Sequence, residues 1–488
     1  MKFIFKNIIP FAIVIALTTS CESDLDIVPE STTSFSNFYT TSDDAKAALN
    51  GAYVNFRNVS NTFYLYGDMR SDLIVQGNLG AGSDINRNTI TQNTLGTDWG
   101  LFYKVINSTN LLLNNIDQIR FTNQTEKNKI KAEALTLRAM TYFYMVRIWG
   151  DVPLITKGIS SATQPEIFPE GRTTSDVVYT QIINDINLAK SLFPSETITS
   201  KYTISKPALN VLEAEVFLWK FKVRDTKTTD LTTALTAINN AINNSGASLN
   251  SSYAEVFRST EATSEDIFSI YYNQVEQANS PFWVADFLIS GEFFNLLTPE
   301  SQKNTPLLSN PQGKTVAQFF TTSNKFRSYF EANDTRESLY FLDITFSDNT
   351  SSHVFNKFIG LETGPETRVF TDDVKIYRFA ELILLKAEIL NAQGNTPDAI
   401  TELNKIKARA GIASYNGAMN ATGVDTAILK ERALELGFEG KRWFDLIRFG
   451  KVPNFVDNMV GINSEKYLWP ISANTISLNS NLKQTPGY

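Results

Sequence analysis

Covalent chemistry in a protein needs nucleophiles, metal ligands or paired acids, and this chain of 488 residues offers few. It has one cysteine, Cys21, and one histidine, His353, which excludes an intramolecular disulfide and a Cys/His zinc site. There is no G-x-S-x-G elbow, and His353, in Ser351-Ser352-His353-Val354, lacks a partner motif and reads as an exposed loop residue. Glu431, Glu435 and Glu439 fall at four-residue spacing, which sets three carboxylates on one helical face. Two of them could act as the acid and base of a glycosidase. Lys441, Arg442 and Arg448 lie close by and supply counter-charges, so the triplet reads as ion-paired scaffold. The Asn/Asp-containing stretch from Ser83 to Asn93 has no EF-hand spacing. No catalytic residue, metal site or cofactor is expected, and structural calcium is not predictable from this pattern.

Cys21 is then incidental, reactive or modified, and its position favours the last. Lys2 and Lys6 precede the short apolar run Ile8 to Leu17, interrupted by Pro10, in the layout of a secretory signal. About ten apolar residues cover only half of a bilayer core, too little for a transmembrane helix. Thr18-Thr19-Ser20-Cys21 is similar to a bacterial lipobox, with Thr18 where leucine is usual. In such a box the thiol takes a diacylglyceryl group and becomes the first residue after cleavage; two or three acyl chains make a stable anchor where one does not. The formal net charge of -7 argues against a nucleic-acid partner.

Stepping along the chain, residues 1–20 read as signal peptide and 21–34 as an acidic, Ser/Thr-rich tether with Pro29. Residues 35–250 read as a helical half. Ser42 caps a helix to about Arg57, and Asp98 caps one to about Ile119. Thr125 precedes a long amphipathic run ended by Gly150 and Pro153. Val178, Ile182, Ile186 and Ala189 share one helical face, Ser205 and Pro207 open another helix, and Leu231 to Asn244 completes the half. Residues 251–369 are irregular and aromatic-rich: Asp266 to Tyr272 alternates like a strand, while Gln312-Gly313 and 333–352 read as turns or short strands. Residues 370–488 are helical again. Gly394 ends one helix and Thr396-Pro397 opens the next, whose Ala399, Ile400, Leu403, Ile406 and Ala410 form an apolar stripe. This turn is similar to a tetratricopeptide unit.

Four stretches carry a resemblance. They are Leu137-Arg138-Ala139 with Trp149 to Leu154; the helix pair Tyr377 to Gly411; Glu431-Arg432 through Glu439-Gly440-Lys441-Arg442-Trp443-Phe444 to Arg448; and Leu468-Trp469-Pro470-Ile471 with the terminal Asn481 to Tyr488. In order and spacing they resemble the SusD/RagB-like outer-membrane nutrient-binding lipoproteins of Bacteroidetes. The resemblance implies a mainly α fold, a tetratricopeptide-like scaffold of helical pairs with an irregular loop-rich region carrying short strands. It also implies a lipid-anchored, surface-exposed protein on the outer membrane. Such proteins bind oligosaccharide, or in some branches peptide, and act as a lid on a SusC-like TonB-dependent transporter. Glu22, Asp24 and Asp26 look like the surface-export signals of these lipoproteins.

Sugar binding calls for flat apolar surfaces with amides, carboxylates or guanidinium groups at the edge. Of six tryptophans, Trp149, Trp219, Trp443 and Trp469 read as packing residues. Trp283, in the loop-like Asn279-Ser-Pro-Phe-Trp, is the first ligand candidate. Trp99 follows a Gly/Asn/Thr-rich stretch and suits ligand contact or helix-start packing equally, with Asp68, Arg70 and Asp72 as polar partners near in sequence; Tyr64, Tyr66 and Tyr272 form a further tier. Two classes of function follow: a non-catalytic surface binding protein, for glycan or peptide, and a glycosidase drawing on two of the acidic residues.

Overall fold

The computed structural model describes residues 38–77, 83–160, 171–273, 282–288, 291–305, 318–364 and 367–488. The signal, Cys21, the tether and Gln312-Gly313 lie outside them. Helices form where apolar spacing requires them: Val178, Ile182, Ile186 and Ala189 are all fully buried along one helix, Ser175–Leu192. The helices used below are α1 Ser42–Ser60, α2 Phe63–Gly67, α3 Gly100–Asn115, α4 Gln124–Trp149, α5 Ser175–Leu192, α6 Lys206–Lys220, α7 Thr228–Asn244, α8 Phe379–Ala392, α9 Thr396–Arg409, α10 Ala421–Leu436 and α11 Arg442–Arg448.

Caps shift some expected starts by one or two residues. Thr41, not Ser42, caps α1: its hydroxyl accepts the Asp44 N–H at 3.2 Å while the Asp44 carboxylate accepts the Thr41 N–H at 2.7 Å, a reciprocal box. Asn123 caps α4 by accepting the Thr125 and Glu126 N–H groups, in place of Thr125. Asp98 stands one residue before the Trp99 cap of α3 and accepts the Gly100 N–H at 2.6 Å, and this helix closes at Asn115, four residues short of Ile119. Ser205 caps α6 as expected.

The helices stack as pairs, α1 on α3, α4 on α5, α6 on α7 and α8 on α9, and α7 packs on α8 to join the first half of the chain to the second. The run read as amphipathic, α4, is a central helix: every residue from Ala132 to Trp149 is buried, because α1, α3, α5 and α6 surround it. Its charged residues must therefore find partners inside the protein. Arg138 donates two bonds to Asp185, at 2.8 and 2.7 Å, and a third to Asn110; Arg147 lies over the rings of Phe143 and Phe444.

Among the described residues, strands form four two-stranded antiparallel ladders: β1 Ile74–Gln76 with β3 Phe320–Thr322, β2 Asp266–Ile270 with β8 Val374–Arg378, β4 Leu342–Thr345 with β5 Ser351–Val354, and β6 Leu361–Gly364 with β7 Thr367–Val369. All five residues of β2 are buried, so its alternation marks two covered faces rather than a wet one. His353 is not an exposed loop residue. It sits half-buried on β5, with Nε2 2.9 Å from the Thr322 carbonyl and its ring edge against Phe341, and burial holds its pKa down.

The carboxylate triplet is ion-paired scaffold, but its partners come from elsewhere in the chain. Arg336 binds Glu431 and Glu435; Arg378 and Arg409 also bind Glu435; Arg378 and Lys357 bind Glu439. The neighbouring cations turn to other acids: Lys441 to Glu381, Arg442 to Asp72 and Arg448 to Glu388. Three arginines hold the Glu435 carboxyl well below the ordinary range despite its burial.

Packing of α2 against the loop before α11 requires glycine at Gly67, where a Cβ would lie 2.0 Å from the Gly440 carbonyl oxygen. Gly51, inside α1 and exposed, meets nothing within 4 Å. Gly67→Ala is expected to destabilise the protein by about 3 kcal/mol or more through backbone displacement, and Gly51→Ala to stabilise it by roughly 0.5–1 kcal/mol. Urea unfolding midpoints of the two variants check both signs.

Candidate ligand-binding cleft

A cavity of about 440 Å³ opens between α2 and the start of α3, lined by Asn61, Tyr64, Leu95, Asp98, Leu101 and Lys104 among others. Its walls are set from within. On α2, Phe63 stacks on Tyr144 with centroids 4.0 Å apart, and Leu65 and Tyr66 are buried, which leaves Tyr64 half-buried at the cavity. Tyr66 is caged by Trp469, Trp149 and Phe102 at 5.0, 5.5 and 5.9 Å, and its hydroxyl donates to the Gly96 carbonyl at 2.8 Å. Gly96 has φ 90°, and a Cβ there would lie 2.6 Å from the Leu65 side chain, so the close turn needs glycine. That turn delivers Leu95, 74 % exposed, and Asp98 to the rim.

On the opposite side, Asn61 caps the end of α1, and its Oδ1 accepts the Tyr272 hydroxyl at 2.9 Å. Tyr272 is itself buried, with the Arg57 guanidinium 5.7 Å from its ring centre. Tyr64 has its hydroxyl pushed up by burial and then by the Asp286 carboxylate, so it stays protonated. Asp286 belongs to the short helix Phe282–Phe287, which also contains Trp283; the Trp283 side chain lies outside the described structure. Ring and leucine surfaces with an amide, a carboxylate and an ammonium group at the edge are the combination a polyhydroxylated ligand requires. Among the described residues no group of three His, Cys, Asp or Glu side chains could hold a metal ion.

The structure separates the residues singled out from sequence. Tyr64 is on the cleft; Tyr66 lines it but is 2 % exposed and serves as the post of the 94–98 turn. Trp99 is 5 % exposed and packs edge-on against Tyr103 and Trp149, while its neighbours Asp98 and Gly100 line the cleft. Tyr272 stands behind Asn61. Asp68, Arg70 and Asp72 are interior groups, all consumed by the fold. Asp68 accepts the Gly440 N–H at 2.6 Å, and Asp72 takes two bonds from Arg442, both 2.8 Å. Arg70 donates to the Lys466, Tyr467 and Leu468 carbonyls and lies 4.3 Å from the centre of the Trp443 ring. Proximity in sequence to Trp99 misled here, since α2 turns these three side chains toward the C-terminal segments. Asn61, Leu95, Leu101 and Lys104 were not singled out from sequence, and Asp98 only as a helix cap; a leucine inside a Gly/Asn/Thr-rich stretch was the available signal for Leu95.

Fold and cleft together define a mainly helical, paired-helix binding scaffold. No described helix is long and apolar enough to cross a membrane. Two family models match, the SusD family over residues 311–461 and a family described as starch-binding and associating with the outer membrane over residues 25–218. The chain is 27% identical to SusD-like protein P38 of Formosa agariphila over 99% of both chains. It is 28% identical to the starch-binding protein SusD of Bacteroides thetaiotaomicron over 24% of this chain and 22% of that one. NanU of B. fragilis superposes with TM-score 0.82 at 27% identity, covering 94% of this chain and 99% of NanU. The chain belongs to the SusD/RagB family.

Burial pushes the Asp68 carboxyl up to about 7, against the backbone N–H groups of Gly440 and Arg442 that favour the ionised form. A raised folded-state pKa means that this group's contribution is full below about 4, where the unfolded carboxyl is also protonated, and is lost as pH rises toward 7. Asp68→Asn stays neutral throughout. Its melting temperature relative to the parent is expected to climb between pH 5 and pH 8 in paired thermal melts.

Proposed function

We propose that the protein is a surface-anchored, non-catalytic binding protein that captures oligosaccharide in the Tyr64–Asp98 cleft and delivers it to a SusC-like TonB-dependent transporter for import. The observation that carries this reading is the cleft itself, where an aromatic ring and two exposed leucines stand beside Asn61, Asp98 and Lys104. The matched family described as starch-binding and the starch-binding relative support a glycan as the ligand. In this account Cys21 carries the lipid anchor on the outer membrane, 21–34 is the leash, and Trp283 is a further candidate for ligand contact. The buried, ion-paired state of Glu431, Glu435 and Glu439 argues against these three as the acid and base of a glycosidase.

A glycan array with maltooligosaccharide and laminarin oligosaccharide arms, run beside a peptide pool, tests the reading. Hits among glycans are expected, with product analysis finding them intact; hits confined to peptides would reassign the ligand, and released reducing ends would make the protein an enzyme. On the strongest glycan hit, Tyr64→Ala and Asp98→Ala are each expected to weaken binding about tenfold, roughly 1.4 kcal/mol, by titration calorimetry.

A further inference from the structure

A second cavity, of about 220 Å³, opens beside the cleft on the adjoining face of α3, lined by Trp99, Tyr103, Ile106, Ile155, Ile159 and Leu482 with Asn479 at its edge. The two hollows share one ridge: Gly100, Leu101 and Lys104 face the cleft, while Trp99, Tyr103 and Ile106, displaced around the same first turns, face the cavity. Its outer wall is the segment 153–159, lashed to α3 by side chains. Asn107 exchanges two bonds with Ile159, donating to the carbonyl at 3.1 Å and accepting the N–H at 2.8 Å. Asn110 donates to the Ile155 carbonyl at 2.9 Å, and the Tyr103 hydroxyl to the Pro153 carbonyl at 2.7 Å. At Gly158 the wall touches the helix so closely that a Cβ would be 2.7 Å from the Leu111 Cα.

This lashing decides the chemistry. The Asn107 amide and the Tyr103 hydroxyl are spent on the wall, so the surface left to the cavity is almost wholly hydrocarbon. Such a surface offers few polar partners to ordered water, and an enclosed apolar cavity of roughly 150 Å³ is enough to take up benzene. A sugar ring entering it would leave hydroxyl groups unpaired at a cost of roughly 1–3 kcal/mol each. Ile159 and Asn479 are only half-buried at the mouth, so the space is open to solvent. We propose that this cavity is a second binding site, which takes a small aryl or acyl group carried as a substituent on the saccharide in the neighbouring cleft. The carrier rests on the glycan-binding reading above; the cavity's apolar selectivity does not.

The test uses 4-fluorophenol as probe with the full chain in detergent, followed by ¹⁹F line broadening. Ile159→Trp and Asn479→Trp, each filling the mouth from a half-exposed position, are run in the same detergent. Millimolar binding that weakens at least tenfold in both variants is expected, while the strongest unsubstituted glycan hit binds all three chains alike. Equal broadening by all three chains overturns the proposal. If no glycan binds but the probe still distinguishes the variants, the cavity stands as an apolar-group site and the glycan reading alone fails.

Discussion

Asp72 and Arg442 are 370 residues apart in the chain and meet in a two-point ion pair with almost no exposure. Breaking such a pair by removing one partner typically costs 3–5 kcal/mol, because the other charge is stranded away from water. Asp68 adds the Gly440 N–H, and Arg70 adds three carbonyls from 466–468, so one short stretch after α2 collects the beginning, the family motif and the end of the chain. The direction of α2 follows from this junction. Once Asp68 and Asp72 are drawn inward, Tyr66 reaches the tryptophan cage and Tyr64 is left on the cleft. Tyr66 in turn holds Gly96, and Gly96 sets Leu95 and Asp98. The cleft surface is therefore a consequence of interior electrostatics several residues away.

The same logic explains why the residues that mark the family are not those that line the cleft. Glu435 gathers three arginines from three separate segments, and Arg448 with Lys222 holds the Glu388 carboxyl down to about 2. A carboxyl lowered from 4.5 to about 2 adds stability above pH 4.5 that disappears as pH falls toward 2. Burial outweighs the favourable contacts at Asp68 and at Glu133, the latter with Lys129 3.9 Å away and the Tyr53 hydroxyl donating to it, and raises both to about 7. These groups fix how the helices and the β2–β8 ladder dock, and loops on that frame remain free to vary the recognition surface.

Much of the frame was legible in the sequence. Period 3.6 gave α5 and α9 directly, and Gly394 with Pro397 gave the α8–α9 turn, because exposed caps and one-sided stripes depend only on local residues. Errors arose where tertiary context decides. Ser42 is as good a cap as Thr41 until Asp44 selects its reciprocal partner, and α4 reads as one-sided until four other helices surround it. His353 lost its loop to a hairpin that pairs it with Asp343. At the site, Tyr64 could be singled out as an aromatic residue. That Asp68, Arg70 and Asp72 point inward could not, since their partners lie nearly 400 residues downstream.

The central claim is that a glycan lies in the cleft between Tyr64 and Asp98 and is left chemically unchanged. A crystal structure of the protein with its strongest array glycan tests this most directly. The account predicts an intact sugar ring against Tyr64 and Leu101, with hydroxyl groups within hydrogen-bonding distance of Asn61 and Asp98. A ligand seated away from this cleft, or a cleaved glycan within it, would contradict the account.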